Sequence, residues 1–220
     1  IFVLALTIWS LYSSQYNTVF FAFGVLFFLA LSRLNVYGTL LAGWSSNSKY
    51  ALLGALRAIA QTISYEVRIM LIILIPLMLS SSLNFEYINL IQKQIYYIVI
   101  IPPLLIMWFT STLAETNRAP FDFAEGESEL VSGFNVEYRG TTFAFIFIAE
   151  YVRILFIRFV TVVIFLGGTP NSLFSLLTFW GITLLIRILF LTRRATLPRI
   201  RYDLLMSLTW KIFLPARSEE

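Results

Sequence analysis

The sequence predicts an all-α polytopic membrane bundle, a single domain over residues 1–220 with about six transmembrane helices, and three observations predict it. The first is composition: 59% of residues are hydrophobic, 17% aromatic and 13% charged, with a mean hydropathy of +0.81, far from a soluble average. The second is length, because several apolar runs reach the about 20 residues a helix needs to cross a ~30 Å hydrocarbon core. The third is pattern. The runs lack the alternation of a β-barrel strand, and backbone groups in lipid must then be satisfied within helices.

The first run, 1–12, is read as incomplete. Ile1 already lies inside it, with no initiator Met and no basic n-region, so no cleavable signal peptide is expected and the front of the chain reads as missing. Runs at 18–42, 59–80, 94–113, 141–166 and 172–192 follow, with Gly167, Gly168 and Pro170 turning the chain between the last two. The tail, 193–220, opens with Arg193, Arg194, Arg199 and Arg201. It then sets Leu204, Leu205, Leu208, Trp210 and Ile212 around Lys211, the pattern of an interfacial helix with an aromatic anchor.

The connections alternate in charge. Those at 43–58, 114–140 and 193–220 hold Lys49, Arg57, Arg118, Arg139, the four tail arginines, Lys211 and Arg217, whereas 13–17, 81–93 and 167–171 hold only Lys93 among basic residues. The positive-inside rule puts the first set on the cytoplasmic or matrix side. The net charge of +4 is read as this bias and not as nucleic-acid binding, since no basic stripe with interleaved aromatics stands out. No internal repeat or low-complexity tract is visible. Zero Cys and zero His remove the usual ligands of iron–sulfur clusters, haem, zinc and copper. Electrons are expected from a partner or a diffusible carrier, with no metal held by this chain alone.

Ionisable groups inside a span cost about 2.5–3.5 kcal/mol each on insertion scales, so they need partners, water or a function. In the run 59–80 and its approach, Arg57, Gln61, Ser64 and Arg68 recur at i, i+4, i+7 and i+11 and share one helical face. Glu66 falls on the opposite side with Thr62. Snorkelling arginines and a packed acid explain this stripe about as well as a functional role. In the run 141–166, Glu150 and Arg153 stand at i, i+3, for which an intrahelical ion pair is the cheapest explanation.

The connection 114–140 is the acidic loop. It carries six carboxylates, Glu115, Asp122, Glu125, Glu127, Glu129 and Glu137, against Arg118 and Arg139, among Phe121, Phe123, Leu130, Val131 and Phe134. Such an amphipathic segment is expected to fold back into the bundle and line a cavity for a flat lipophilic ligand. Crowded carboxylates disfavour one another's ionised forms, so at least one of Asp122, Glu125, Glu127 and Glu129 is expected to titrate above the usual range. A solvated acidic loop is the plainer alternative.

The stretches GWSSNSKYALLGALRAIAQTISYEV at 43–67, LAETNRAPFDFAEGESELVSGFNVEY at 113–138, AEY at 149–151 and PRIRYDLLMSLTWKIFLP at 198–215 closely resemble the NADH dehydrogenase subunit 1 family, the membrane subunit of respiratory NADH:ubiquinone oxidoreductase (complex I). The resemblance implies an acidic loop that faces the peripheral arm, lines the quinone chamber and starts a buried path of charges. It assigns proton coupling to Glu66, Glu115, Asp122, Glu125, Glu127, Glu129 and Glu150. It assigns quinone binding to Arg118, Phe121, Phe123, Phe147, Arg57, Arg194, Arg199 and Arg201, with Tyr65 and Tyr138 flanking the acids. Ubiquinone would be the substrate, while NADH, FMN and iron–sulfur clusters would belong to partner subunits.

The implied partners are other complex I subunits at the junction of the two arms, the lipid bilayer, and a separate polypeptide supplying missing terminal helices, since relative to the family the chain reads as truncated at both ends. The implied location is the mitochondrial inner membrane, with a bacterial plasma membrane as runner-up and the basic connections on the matrix side. Arg33, Arg68, Arg153 and Arg158 stand where neutral residues are expected in this family. Two other readings remain: the corresponding subunit of a membrane-bound hydrogenase relative, and a transporter with intramembrane acids, which predicts a repeat that is not seen. A structural anchor with inert acids is the fourth.

Overall fold

The computed structural model describes residues 1–12, 21–92, 95–117, 121–122, 135, 137–167, 173–196, 202–208 and 210–211, and all regular structure among them is helical. Helix α1 (Phe2–Ile8) runs into a 3-10 turn at Trp9–Leu11. It is followed by α2 (Gly24–Ser45), α3 (Lys49–Ser80), α4 (Phe85–Ile91), α5 (Tyr97–Ile100), α6 (Pro102–Glu115), α7 (Thr141–Leu166), α8 (Leu173–Thr196) and α9 (Tyr202–Leu208). Helix α7 has the bounds the hydropathy pattern predicts.

Three elements differ from the expected spans, each for a local reason. Helix α3 begins ten residues before the predicted span, because Ser48 caps it by accepting from the Ala51 backbone N–H at 3.4 Å. Most of the predicted connection 43–58 is thus helical, Arg57 included. A single charge does not break a helix whose other residues favour it. The run 94–113 is split into α5 and α6 at Ile101, whose φ of −134° and ψ of 73° lie outside the helical region. Pro102 lacks an N–H and crowds the residue before it, so the chain restarts there as a new helix. Inside the predicted connection 81–93, Asn84 caps the short helix α4 by accepting from the Glu86 N–H at 2.9 Å.

Among the described residues, two helices, α2 and α3, are long and apolar enough to cross a membrane by length and composition. Helix α7 has 26 residues but carries Glu150, Arg153 and Arg158 through its middle. Its charges must be satisfied by neighbours, and that need organises the site described below.

Helix α3 is the shared wall of the bundle, packing along α2 on one side and α6 on the other, while α7 packs on α1, α4, α5 and α8. Tyr65, Ile69 and Ile72 of α3, Trp108 of α6 and Phe156, Val160 and Phe165 of α7 form one continuous core. Trp108 Nε1 donates to Thr161 Oγ1 at 2.9 Å, so the largest ring in this core is oriented as well as buried. Small residues set the α2–α3 approach: a Cβ added at Gly43 would collide with Ala55 Cβ. Gln92 Nε2 donates to the carbonyls of Val163 and Ile164 at 3.2 and 2.8 Å, satisfying acceptors that the end of α7 leaves open.

Candidate functional site

Three acids stand on three helices, and two of them, Glu115 and Glu150, line one cavity. Glu115 is the last residue of α6 and only 2% exposed, Glu66 of α3 is 7% exposed, and Glu150 of α7 is half-buried. An acid at a helix C-terminus faces the negative end of the helix dipole, and burial adds the loss of solvation. Glu115 bears both costs.

The compensation comes from Arg153. Its Nη2 donates to Glu115 Oε1 at 2.7 Å, joining the middle of α7 to the end of α6 across 38 residues of sequence. The i, i+3 spacing assigns Arg153 to Glu150, and the fold gives it to Glu115 instead. A nearly inaccessible carboxylate on the adjoining helix gains more from the guanidinium than a half-buried one beside it. Glu66 lies within electrostatic reach of Glu115, Arg153 and Arg33.

Glu115, Glu150 and Arg153 line a cavity of about 70 Å³ together with Asn35, Thr62 and Asn117. At 10–15 Å³ for each water there is room for about five, far short of the ~300–1,000 Å³ of a ligand pocket. The space therefore suits water and protons rather than a ring. Glu115 Oε2 and Asn117 Oδ1 are buried without a protein partner among the described residues, as hydrated polar atoms would be. A wider, open groove of about 610 Å³ lies between α1, α2 and the start of α7, with Tyr138, Ser45 and Thr142 as its polar residues. Among the described residues, no three carboxylates gather as a metal site would need.

The opposed faces read on α3 are both used. Gln61 and Arg68 turn to α6: Arg68 Nη2 donates to Met107 O at 3.1 Å and Thr110 Oγ1 at 2.9 Å, and its guanidinium lies 5.6 Å from the Tyr65 ring centre. Thr62 turns to the cavity. Gln61 is the residue that sequence reasoning left without a role. Fully buried, its Nε2 donates to Ala114 O at 2.8 Å and to Phe121 O at 2.9 Å. One amide thereby ties the residue before Glu115 and the residue before Asp122 to α3. An uncharged amide between the arginines of the polar stripe on an apolar span is the signal that points to it.

Of the other residues assigned from sequence, Phe121 sits in the core and Asp122 follows it, half-buried. Phe147 pairs with Phe143 at 4.5 Å between ring centres, one turn before Glu150 and outside the cavity lining. Arg57 lies within α3. Tyr138 donates to Ala42 O at 2.9 Å and holds the end of α2. Arg118, Phe123, Glu125, Glu127, Glu129, Arg199, Arg201 and the Arg194 side chain lie outside the described residues.

The family model described as NADH dehydrogenase matches residues 1–218. The chain belongs to the NADH dehydrogenase family. Among its relatives, the protein named NADH-ubiquinone oxidoreductase chain 1 in Emballonura alecto is 54% identical over 215 residues, covering 96% of this chain and 68% of that one. The protein of the same name in Zaedyus pichiy is 51% identical over 217 residues, 97% of this chain and 68% of the relative. That in Aedes aegypti is 54% identical over 212 residues, 96% and 66%. This member of the NADH dehydrogenase family thus places its buried acids where α3, α6 and α7 meet, with Arg153 as the cation between them.

Proposed function

We propose that the chain is a membrane subunit of respiratory NADH:ubiquinone oxidoreductase, complex I, and that it helps bind ubiquinone and couples its reduction to proton movement. The observation that carries this reading is the placing of Glu115, Glu150 and Arg153 on one small cavity of a largely apolar bundle. Acids that cost several kcal/mol to bury in lipid, gathered around space for water, are the expected parts of a proton path. The relatives' name supplies the two substrates, NADH and ubiquinone.

The geometry suggests how the coupling runs. Reduction of a quinone draws protons, which changes the charge at the start of the acidic loop near Asp122. Phe121, one residue before Asp122, is tied by its carbonyl to Gln61, and the same amide holds Ala114 beside Glu115. A change at the loop is therefore felt at Glu115. Arg153 holds Oε1 of that acid, leaving Oε2 to exchange a proton with water in the cavity, and Glu150 and Glu66 stand next in reach. A few kcal/mol of differential stabilisation between charge states would shift their populations. Electron carriers would reside in partner subunits of the peripheral arm. The location that fits is the mitochondrial inner membrane, with the acidic loop on the matrix side.

The test is extraction of the native assembly in mild detergent through this chain, followed by NADH-driven reduction of a short-chain ubiquinone. Reduction sensitive to a quinone-site inhibitor is expected. A stable assembly without NADH oxidation would instead favour the hydrogenase relative or a structural anchor.

A further inference from the structure

Helix α2 carries one charged residue, Arg33, and it is exposed. At 1.5 Å per residue it sits about 14 Å from the Gly24 end and about 18 Å from the Ser45 end, near the middle of a ~30 Å core. Basic side chains near helix ends reach the interface. Arg33 is not near an end.

The other three arginines expected to replace neutral family residues meet partners within the bundle. Arg153 meets Glu115, Arg68 meets Met107 O and Thr110 Oγ1, and Arg158 lies 5.1 Å from the Phe190 ring centre. Arg33 instead turns outward, with Nη2 3.8 Å from Met70 Sδ of α3. A thioether is a weak acceptor and balances no charge, and Glu66 of α3, although within electrostatic reach, makes no ion pair with Arg33. Around it, Leu26, Leu34, Tyr37 and Leu41 of α2 and Val67 and Leu74 of α3 form an exposed apolar face.

We propose that a membrane helix of another subunit packs over this α2–α3 face and places an Asp or Glu carboxylate on Arg33. This rests on reading the chain as one subunit of a larger membrane complex. Charge complementarity selects the occupant. The phosphate of an anionic lipid stays at the headgroup level, about half the ~30 Å core away from a mid-span guanidinium. A carboxylate on a helix can be fixed at any depth, and it turns the cost of a mid-span cation without an ion pair into a specific contact. The apolar stripes above and below Arg33 supply the packing that such a helix needs.

The test places a photo-cross-linking residue at Leu34, next to Arg33 on the exposed face, in the assembled complex in its native membrane. Mass spectrometry is expected to find an adduct on a membrane helix of another subunit, with an Asp or Glu within one turn of the linked residue. Adducts to lipid alone, or to a helix without an acid there, would overturn the proposal. As a second readout, Arg33→Leu is expected to lower retention of that subunit on native gels by about tenfold or more, because it leaves the partner's carboxylate buried alone. Arg33→Lys is expected to retain most of it, and equal retention by Arg33→Leu would overturn the proposal. Absence of NADH-driven quinone reduction in the unsubstituted assembly is a separate result that bears on the proposed function, and the cross-link stays readable without it.

Discussion

Arg153 of α7 and Glu115 at the end of α6 form a 2.7 Å ion pair in which the acid is almost completely buried. Removing one partner of such a pair strands the other, which typically costs about 3–5 kcal/mol. Arg153→Gln is therefore expected to lower the thermal inactivation midpoint of the assembly sharply. The double variant Arg153→Gln with Glu115→Gln should recover part of the loss, because no buried charge remains unmatched. A double-mutant cycle showing additive effects would mean that the pair contributes nothing.

Gln61 offers a different kind of test, because it bears no charge. Gln61→Leu keeps the volume but takes the donor from Phe121 O, at about 1–3 kcal/mol for a buried acceptor, while Ala114 O keeps the Asn117 N–H at 3.3 Å. Faster limited proteolysis between α6 and α7 is expected, together with a fall in coupled activity. Unchanged cleavage would show that the loop start is held by other contacts.

For the proposed proton path, Glu150→Gln preserves size and hydrogen bonding while removing the exchangeable charge. Loss of a positioned acid or base typically costs about 10²–10⁴-fold in a step that depends on it. A drop of at least about tenfold in quinone-linked proton translocation is expected, with assembly retained on native gels. A proton-to-electron ratio and rate equal to the parent would remove Glu150 from the path.

Gly43 and Gly181 make an internal control for packing. A methyl group at Gly43 would run into Ala55, whereas at Gly181 nothing among the described residues lies within 4 Å. Gly43→Ala is expected to push α2 off α3 and destabilise by about 1–3 kcal/mol, the usual range for overpacking. Gly181→Ala should leave the denaturation midpoint unchanged or slightly raised, since Ala is the better helix former. Equal effects at the two positions would contradict the close approach of α2 and α3.

Trp108 tests the orientation of the core. Trp108→Phe keeps an aromatic ring but loses the bond to Thr161 Oγ1, a net loss of about 1 kcal/mol plus that of the smaller ring. Thr161→Val strands the indole N–H instead and is expected to cost as much or more in thermal stability.

Read alone, the sequence makes this chain helical and apolar, runs α7 over Thr141–Leu166, and sets Glu66 and Glu150 inside apolar spans. Those readings rest on composition, on the length of apolar runs and on helical spacing, all of which are local. The split at Ile101 was also written locally, in Pro102 and Pro103, but a window of hydropathy passes over two prolines without a mark. Which partner each charge takes was decided only by the tertiary structure. Spacing within α7 offered Arg153 the acid one turn away, and packing offered it Glu115 on α6, where burial made the need greater. In the same way Gln61 became a clasp only because α6 and the residues after it lie against α3. Helical periodicity states which way a side chain faces, whereas the neighbour it meets depends on which helices pack together and on how much each polar group loses by leaving water.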